Sequence, residues 1–236
     1  MSTGLYYGVS AMTASEKRLE AITSNIANAS TAAYKRQATA STGFLIGRDE
    51  KTHLQIGTRV ATDFAQGPIE RTDNTFDLAF QSGAIPDFFA VEGPQGEIFT
   101  RNGSFHLNES GTLQTAEGYM VAWEGPRQNL DPAGSQVSID KTGTIFQGSE
   151  QIGQLKVVSF NEPSSLQQNG QGYYEADPSL ARDGLRGEVH QGALERSNVS
   201  TVDEMIAMIT VQRRFEAASN VLDRIDETYQ RLNNPR

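Results

Sequence analysis

Three histidines are the first places to look for chemistry, because imidazole is the side chain best suited to moving protons or holding a metal near neutral pH. They stand at His53, His106 and His190, and none has a second ligand three or four residues away. A metal site on any of them would have to be gathered by the fold, so each reads more simply as an ordinary surface or packed histidine. Nucleophile and phosphate motifs are missing too. The chain has no G-x-S-x-G elbow, no G-x-x-x-x-G-K-[ST] loop and no G-x-G-x-x-G fingerprint. "GQG" at 170–172 runs into "YYEA", which reads as a turn entering a strand. Carboxylate pairs are common among 29 acidic residues, but spacing alone nominates none of them for acid–base work. The 236 residues include no cysteine, which removes thiolate metal sites, disulfides and a cysteine nucleophile together. No enzyme and no cofactor is expected.

Charge narrows the partners. With 20 basic residues against 29 acidic, the net charge of -9 argues against nucleic acid, whose backbone requires clustered cations. No apolar run approaches the roughly 20 residues that span a bilayer, so no direct membrane insertion is expected. The opening "MSTGLYYGVSAMTASEKRLEA" lacks a basic start followed by an apolar stretch, so no cleavable secretory signal is expected and any export would use another route.

With chemistry unpromising, the elements that would position residues carry more information. Near the N-terminus Leu5, Met12, Leu19 and Ile26 recur every seven residues, with Val9 and Ile22 beside them. This is a narrow helical stripe. Gly8, Ser15 and Ala29 are small enough to admit a partner helix. At the C-terminus Met208, Phe215, Leu222 and Tyr229 form one seven-residue series, and Val211, Ala218, Ile225 and Leu232 form a second three residues on. Together they are the a and d positions of a heptad seam, which favours pairing with one or two other helices. Either Ser197 or Ser200 suits the N-cap of this helix, with Asp203 and Glu204 favourably placed in its first turn.

Between the ends the period falls from seven to two. "DFFAVEG", "EIFTRNGSFHL" and "GQLKVVSF" are among several short β-prone runs separated by Gly, Asn or Asp. "LNESGTL" and "IDKTGTI" echo each other, each predicting a hairpin on a type I turn with Gly in the left-handed position. The expected organisation is α+β, a discontinuous helical domain from paired terminal helices plus a β-rich central domain. Its segments are a helix over 1–29, an extended connector over 30–75 with room for short strands around "RVATDF", a β domain over 76–195 and a helix over 196–236.

The segment "SNIANASTAAYKR", 24–36, exceeds what a helix stop requires. Asn25 and Asn28 can satisfy loose backbone groups, the small residues permit close approach, and Lys35 and Arg36 offer charge to a neighbour. "GVSAMTASEKRLEAITSNIANASTAAYKRQ" resembles the N-terminal signature of flagellar rod and hook axial proteins, with Asn25, Ile26, Ala27, Asn28, Thr31, Tyr34 and Lys35 matching position by position. A central block with Phe-Phe, Thr-Arg-x-Gly-x-Phe and Gly-Tyr landmarks, and "QGALERSNVSTVDEMIAMITVQRRFEAASNVLDRIDETYQRL", resemble the family's other two signatures. One departure is Ala32-Ala33, where the family usually has Thr-Gly; a left-handed backbone there would strain Ala33 by about 1 kcal/mol.

The resemblance implies a structural subunit of the bacterial flagellar basal-body rod, the proximal type slightly favoured over the distal. It implies helical assembly that transmits torque and leaves an export channel. The implied partners are other copies of this chain, other rod proteins, flagellar ring components and the type III export apparatus, in a periplasm-spanning rod. Subunit packing is then expected of Leu5, Met12, Leu19, Ile22, Asn25, Ile26, Asn28, Tyr34 and Lys35 at one end. At the other it is expected of Met208, Val211, Phe215, Ala218, Leu222, Ile225, Tyr229 and Leu232. The alternative is a secreted or surface binding module, adhesin-like, with coiled-coil termini.

Overall fold

A computed structural model describes residues 3–46, 53–83, 85–126, 128–170 and 172–233. The chain forms two compact units, each assembled from separated pieces: residues 1–29, 36–63 and 199–236 make the first, 30–35 and 64–198 the second. All of the chain's net charge falls on one of them. The first unit carries 11 acidic and 11 basic residues and is neutral, whereas the second carries 18 acidic and 9 basic residues.

The first unit pairs helix α1, Thr3–Ala27, with helix α2, Thr201–Asn233. Ser200 is the residue that caps α2, its Oγ accepting the Asp203 N–H at 3.4 Å. Neither helix is long and apolar enough to cross a membrane. The same unit holds two ten-residue strands, β1 at Gln37–Ile46 and β2 at His53–Thr62, antiparallel from Gln37 opposite Thr62 to Ile46 opposite His53. The sequence reading expects only an extended connector with short strands here. Strands rich in Ala, Thr, Ser and Gly carry no apolar alternation, and this ribbon takes its support from packing along α1.

The second unit is built around an antiparallel sheet of nine strands. Its central strand, Asp87–Gly93, is buried on both faces. Successive side chains point to opposite faces, so Phe89 and Val91 enter one core while Phe88 and Ala90 enter another. In the first core the Phe80 and Phe89 rings stack at 4.1 Å, and Phe105 meets Phe89 edge-on at 5.1 Å. In the second, Phe88 is edge-on to both Phe160 and Tyr174. A separate three-stranded sheet, Val137–Ile139, Thr144–Gln147 and Glu150–Gln154, adds Val137, Ile139 and Ile145 to the first core. Trp123, the chain's one tryptophan, lies in this core at 7% exposure and reports on its closure.

Both echoed turns form as their residues dictate. Asn108 Oδ1 accepts the Ser110 and Thr112 N–H groups, and Asp140 Oδ1 accepts those of Thr142 and Thr144. Gly111 and Gly143 close them at φ of 77° and 80°, a conformation costly to any residue with a Cβ.

Candidate assembly site

Asn25 in the last turn of α1, Asn28 just beyond it and Arg36 each have a partner within the chain. Asn28 Nδ2 donates to the Ser24 carbonyl at 2.9 Å and satisfies one of the acceptors a helix end leaves loose. Asn25, fully buried, does something different. Its amide donates to the Gln37 carbonyl at 2.9 Å and accepts the Gln37 N–H at 2.8 Å, pairing with β1 as another strand would. Within this unit Arg36 Nε also reaches Glu204 Oε1 at 2.6 Å, close to the start of α2, where the sequence leaves Glu204 as a first-turn acid.

Inside the second unit lies a cluster of buried charge. Lys35 Nζ donates to Glu195 Oε1 at 2.5 Å and to the Ala65 carbonyl at 2.8 Å. The same Glu195 oxygen accepts the Gly67 N–H at 2.9 Å. Its other oxygen takes Arg101, with Nε at 2.9 Å and Nη2 at 2.8 Å. Arg101 Nη1 donates to the Asp87 carbonyl at 2.8 Å, and the guanidinium lies 5.7 and 5.9 Å from the Phe80 and Phe88 ring centres. Burial pushes the nearby Tyr174 phenol well above its ordinary pKa, so it stays neutral beside the cluster. Breaking such a buried pair by removing one partner costs roughly 3 to 5 kcal/mol, because the other charge is left without compensation.

This arrangement bears on what the segment can offer a neighbour. The Lys35 charge is spent inside the unit with its side chain fully buried, Tyr34 is buried at 5% exposure, and Arg36 is paired to Glu204 with 39% of its side chain still exposed. Lysine is seldom fully buried unless paired, which is why a sequence reading puts it at the surface. Ala33, by contrast, adopts the strained conformation its position suggests, with φ of 56°, while donating its N–H to the Glu195 carbonyl at 2.7 Å. Ala33→Gly should relieve roughly 1 to 2 kcal/mol of strain and return about 0.4 to 1 kcal/mol through the freer unfolded chain. A small net gain in the urea midpoint of the second unit is expected; a loss would show that the Ala33 methyl contributes more by packing than it costs.

The helix pair uses the heptad seam. Val211 is buried, and Met208, Phe215, Ala218, Leu222 and Ile225 are half-buried, while the residues around them on α2 are mostly exposed. On α1, Ile22 is buried and Met12, Leu19 and Ile26 are half-buried. Gly8 lies directly against α2: a Cβ there would lie 2.4 Å from Leu222 Cδ2. The side chains of Leu5, Tyr229 and Leu232 lie outside the described residues. One feature escaped the heptad reading. Val202, Met205, Ile206 and Ile209 are 67%, 51%, 58% and 52% exposed. At 100° per residue they form a stripe on the face of α2 opposite the seam. Their i, i+3, i+4, i+7 spacing was visible in the sequence but overshadowed by the longer series.

Among the described residues no group of three or more His, Asp or Glu gathers to hold a metal. Paired helices with an apolar stripe left bare, joined to a β unit locked by internal charge, describe a structural subunit of an assembly. The comparisons say which assembly. "Flagella basal body rod protein" matches residues 5–35, "Flagellar hook protein FlgE/F/G D1 domain" matches 86–147, and "Flagellar basal body rod FlgEFG protein C-terminal" matches 190–234. Flagellar basal-body rod protein FlgF of Caulobacter vibrioides is 31% identical over 96% of this chain and 95% of its own length. Rod protein FlgG of Buchnera aphidicola subsp. Schizaphis graminum is 31% identical over 98% and 99%, and FlgG of Bacillus subtilis is 28% identical over 99% of each.

The chain belongs to the FlgF/FlgG family of flagellar basal-body rod proteins, and it is a structural, non-enzymatic subunit of the rod. Each matched region supplies one member of the buried cluster: Lys35 from the first, Arg101 from the second and Glu195 from the third.

Proposed function

We propose that this subunit polymerises helically through its paired terminal helices, forming a hollow axis that transmits torque and leaves a channel for export. The observation that carries this is the bare apolar stripe at Val202, Met205, Ile206 and Ile209. Water-exposed apolar side chains aligned over two helical turns gain free energy when covered, at roughly 25 cal/mol per Å². A head-to-tail contact of this kind that does not close into a ring grows into an open filament. In this reading the seam residues Met208, Val211, Phe215, Ala218, Leu222 and Ile225 shape the helix pair, and the pair presents the stripe to the next subunit. Other rod proteins continue the axis at either end, ring components surround it, and the export apparatus delivers its subunits. The "GQLKVVSF" and "RRFEAAS" variants favour a proximal position.

Ile206→Asp tests the contact. Ile206 is 58% exposed, so the isolated chain should keep its circular dichroism and urea midpoint. In cells lacking the native copy the variant should build no rods and restore no swimming, because an unpaired carboxylate would be buried at every subunit boundary. Normal rods from Ile206→Asp would place the contact on another face. Imaging of tagged basal bodies locates the subunit, and label confined to the hook-side end would overturn the proximal assignment.

A further inference from the structure

We infer that Glu195 gates the folding of the β unit, which stays open until this carboxylate arrives. Lys35 lies 160 residues before Glu195 and Arg101 lies 94 before it, so neither cation has local access to its acceptor. Glu195 is the one carboxylate that both cations share, with Lys35 on one oxygen and Arg101 on the other. The Asp87 carboxylate is occupied by the Arg186 and Gly187 N–H groups and by Ser82 Oγ, and Arg101 takes only the Asp87 backbone carbonyl. Without Glu195 both cations are therefore left in the core with no carboxylate in contact. Arg101 Nε and the Gly67 N–H lose their acceptor at the same moment.

The position of Arg101 makes this a gate on closure. Its guanidinium lies against Phe80 and Phe88, which belong to the two separate cores. Packing both rings means desolvating the guanidinium, and a desolvated cation without an anion is costly. Antiparallel neighbours such as Asp87–Gly93 and Gly96–Thr100 can pair early, being close in sequence. The last connections wait for the strand Ala193–Glu195, which pairs with Ile69–Arg71 while its Glu195 carbonyl receives the Ala33 N–H. A chain delivered N-terminus first would thus remain threadable through most of its length. That consequence rests on the export reading above, whereas the gate itself does not.

The full-length chain tests the gate, with Trp123 fluorescence as the readout during refolding from urea. Glu195→Ala should slow the burial of Trp123 at least about 100-fold, or prevent it. Failure to fold could also mean that position 195 matters only for shape. A second variant, Lys35→Met with Arg101→Met and Glu195→Leu, removes the charge and keeps similar bulk. It should bury Trp123 at a rate within about threefold of the native chain, as apolar replacements of buried ion clusters can. Two results would overturn the gate. One is Glu195→Ala refolding at the native rate and merely unfolding faster, since the cluster would then form after closure. The other is a triple variant as defective as Glu195→Ala. Failed assembly with normal gating would count against the proposed polymerisation alone, so the two ideas separate.

Discussion

Leu222→Asp is expected to abolish the helix pair and rod assembly together. The side chain packs against Gly8 of the partner helix, where the approach leaves no room even for a methyl group. Truncating a packed leucine costs about 2 to 5 kcal/mol, and a carboxylate facing apolar neighbours adds to that. The pair has little in reserve, because helices of this kind draw most of their stability from packing. The isolated variant should therefore lose much of its helical circular dichroism while Trp123 stays buried in the second unit. Asp223→Ala, on the exposed side, should stay within about 0.5 kcal/mol of the native chain. Comparison with Ile206→Asp separates two kinds of failure: one variant loses the pair and its assembly, the other keeps the pair and loses assembly. A Leu222→Asp chain with full helical signal would mean that the seam does not hold the helices.

The second large effect is expected in the β unit. A Cβ on Gly103 would lie 1.9 Å from the Leu78 carbonyl oxygen and 3.1 Å from the Phe89 ring. The obstacle is backbone, and it cannot rotate aside. Leu78 N–H donates to the Gly103 carbonyl at 3.0 Å, so making room would separate the two segments and disturb the Phe80–Phe89 stack. Gly103→Ala should cost about 3 kcal/mol or more, at the upper end for overpacking. Urea unfolding followed through Trp123 measures it. Gly83→Ala is the control, since nothing lies within 4 Å of a Cβ there. Equal midpoints for the two variants would show that the Gly103 contact yields easily.

How much of this was legible in the residues depended on how local the signal was. The seam was readable because one helix repeats its contacts every seven residues. The paired turns were readable because Asn108 and Asp140 each bond to backbone only two and four residues ahead. Ala33 could be singled out because a left-handed backbone is hard on any Cβ. The β1–β2 ribbon was hidden, since small polar residues fit strands, turns and connectors alike and here the neighbouring helix decides. Lys35, Arg101 and Glu195 were each inside a recognisable motif, but nothing local shows that three charges so far apart meet in the dark of a core. Asn25 was legible as a residue needing a backbone partner, though not that the partner would be Gln37.

The uneven division of charge between the two units bears on growth. A polymer whose contacts were made by charged parts would become a polyelectrolyte along its own spine, and each addition would meet more repulsion than the last. Here the helix-bearing unit is neutral and the acidic residues are in surplus on the other. Mobile salt ions damp fields between exposed charges beyond about 8 Å at physiological ionic strength. Elongation driven by the helices should therefore be indifferent to length and only weakly sensitive to salt, while the repeated acidic units give the finished thread colloidal stability against clumping with its own kind.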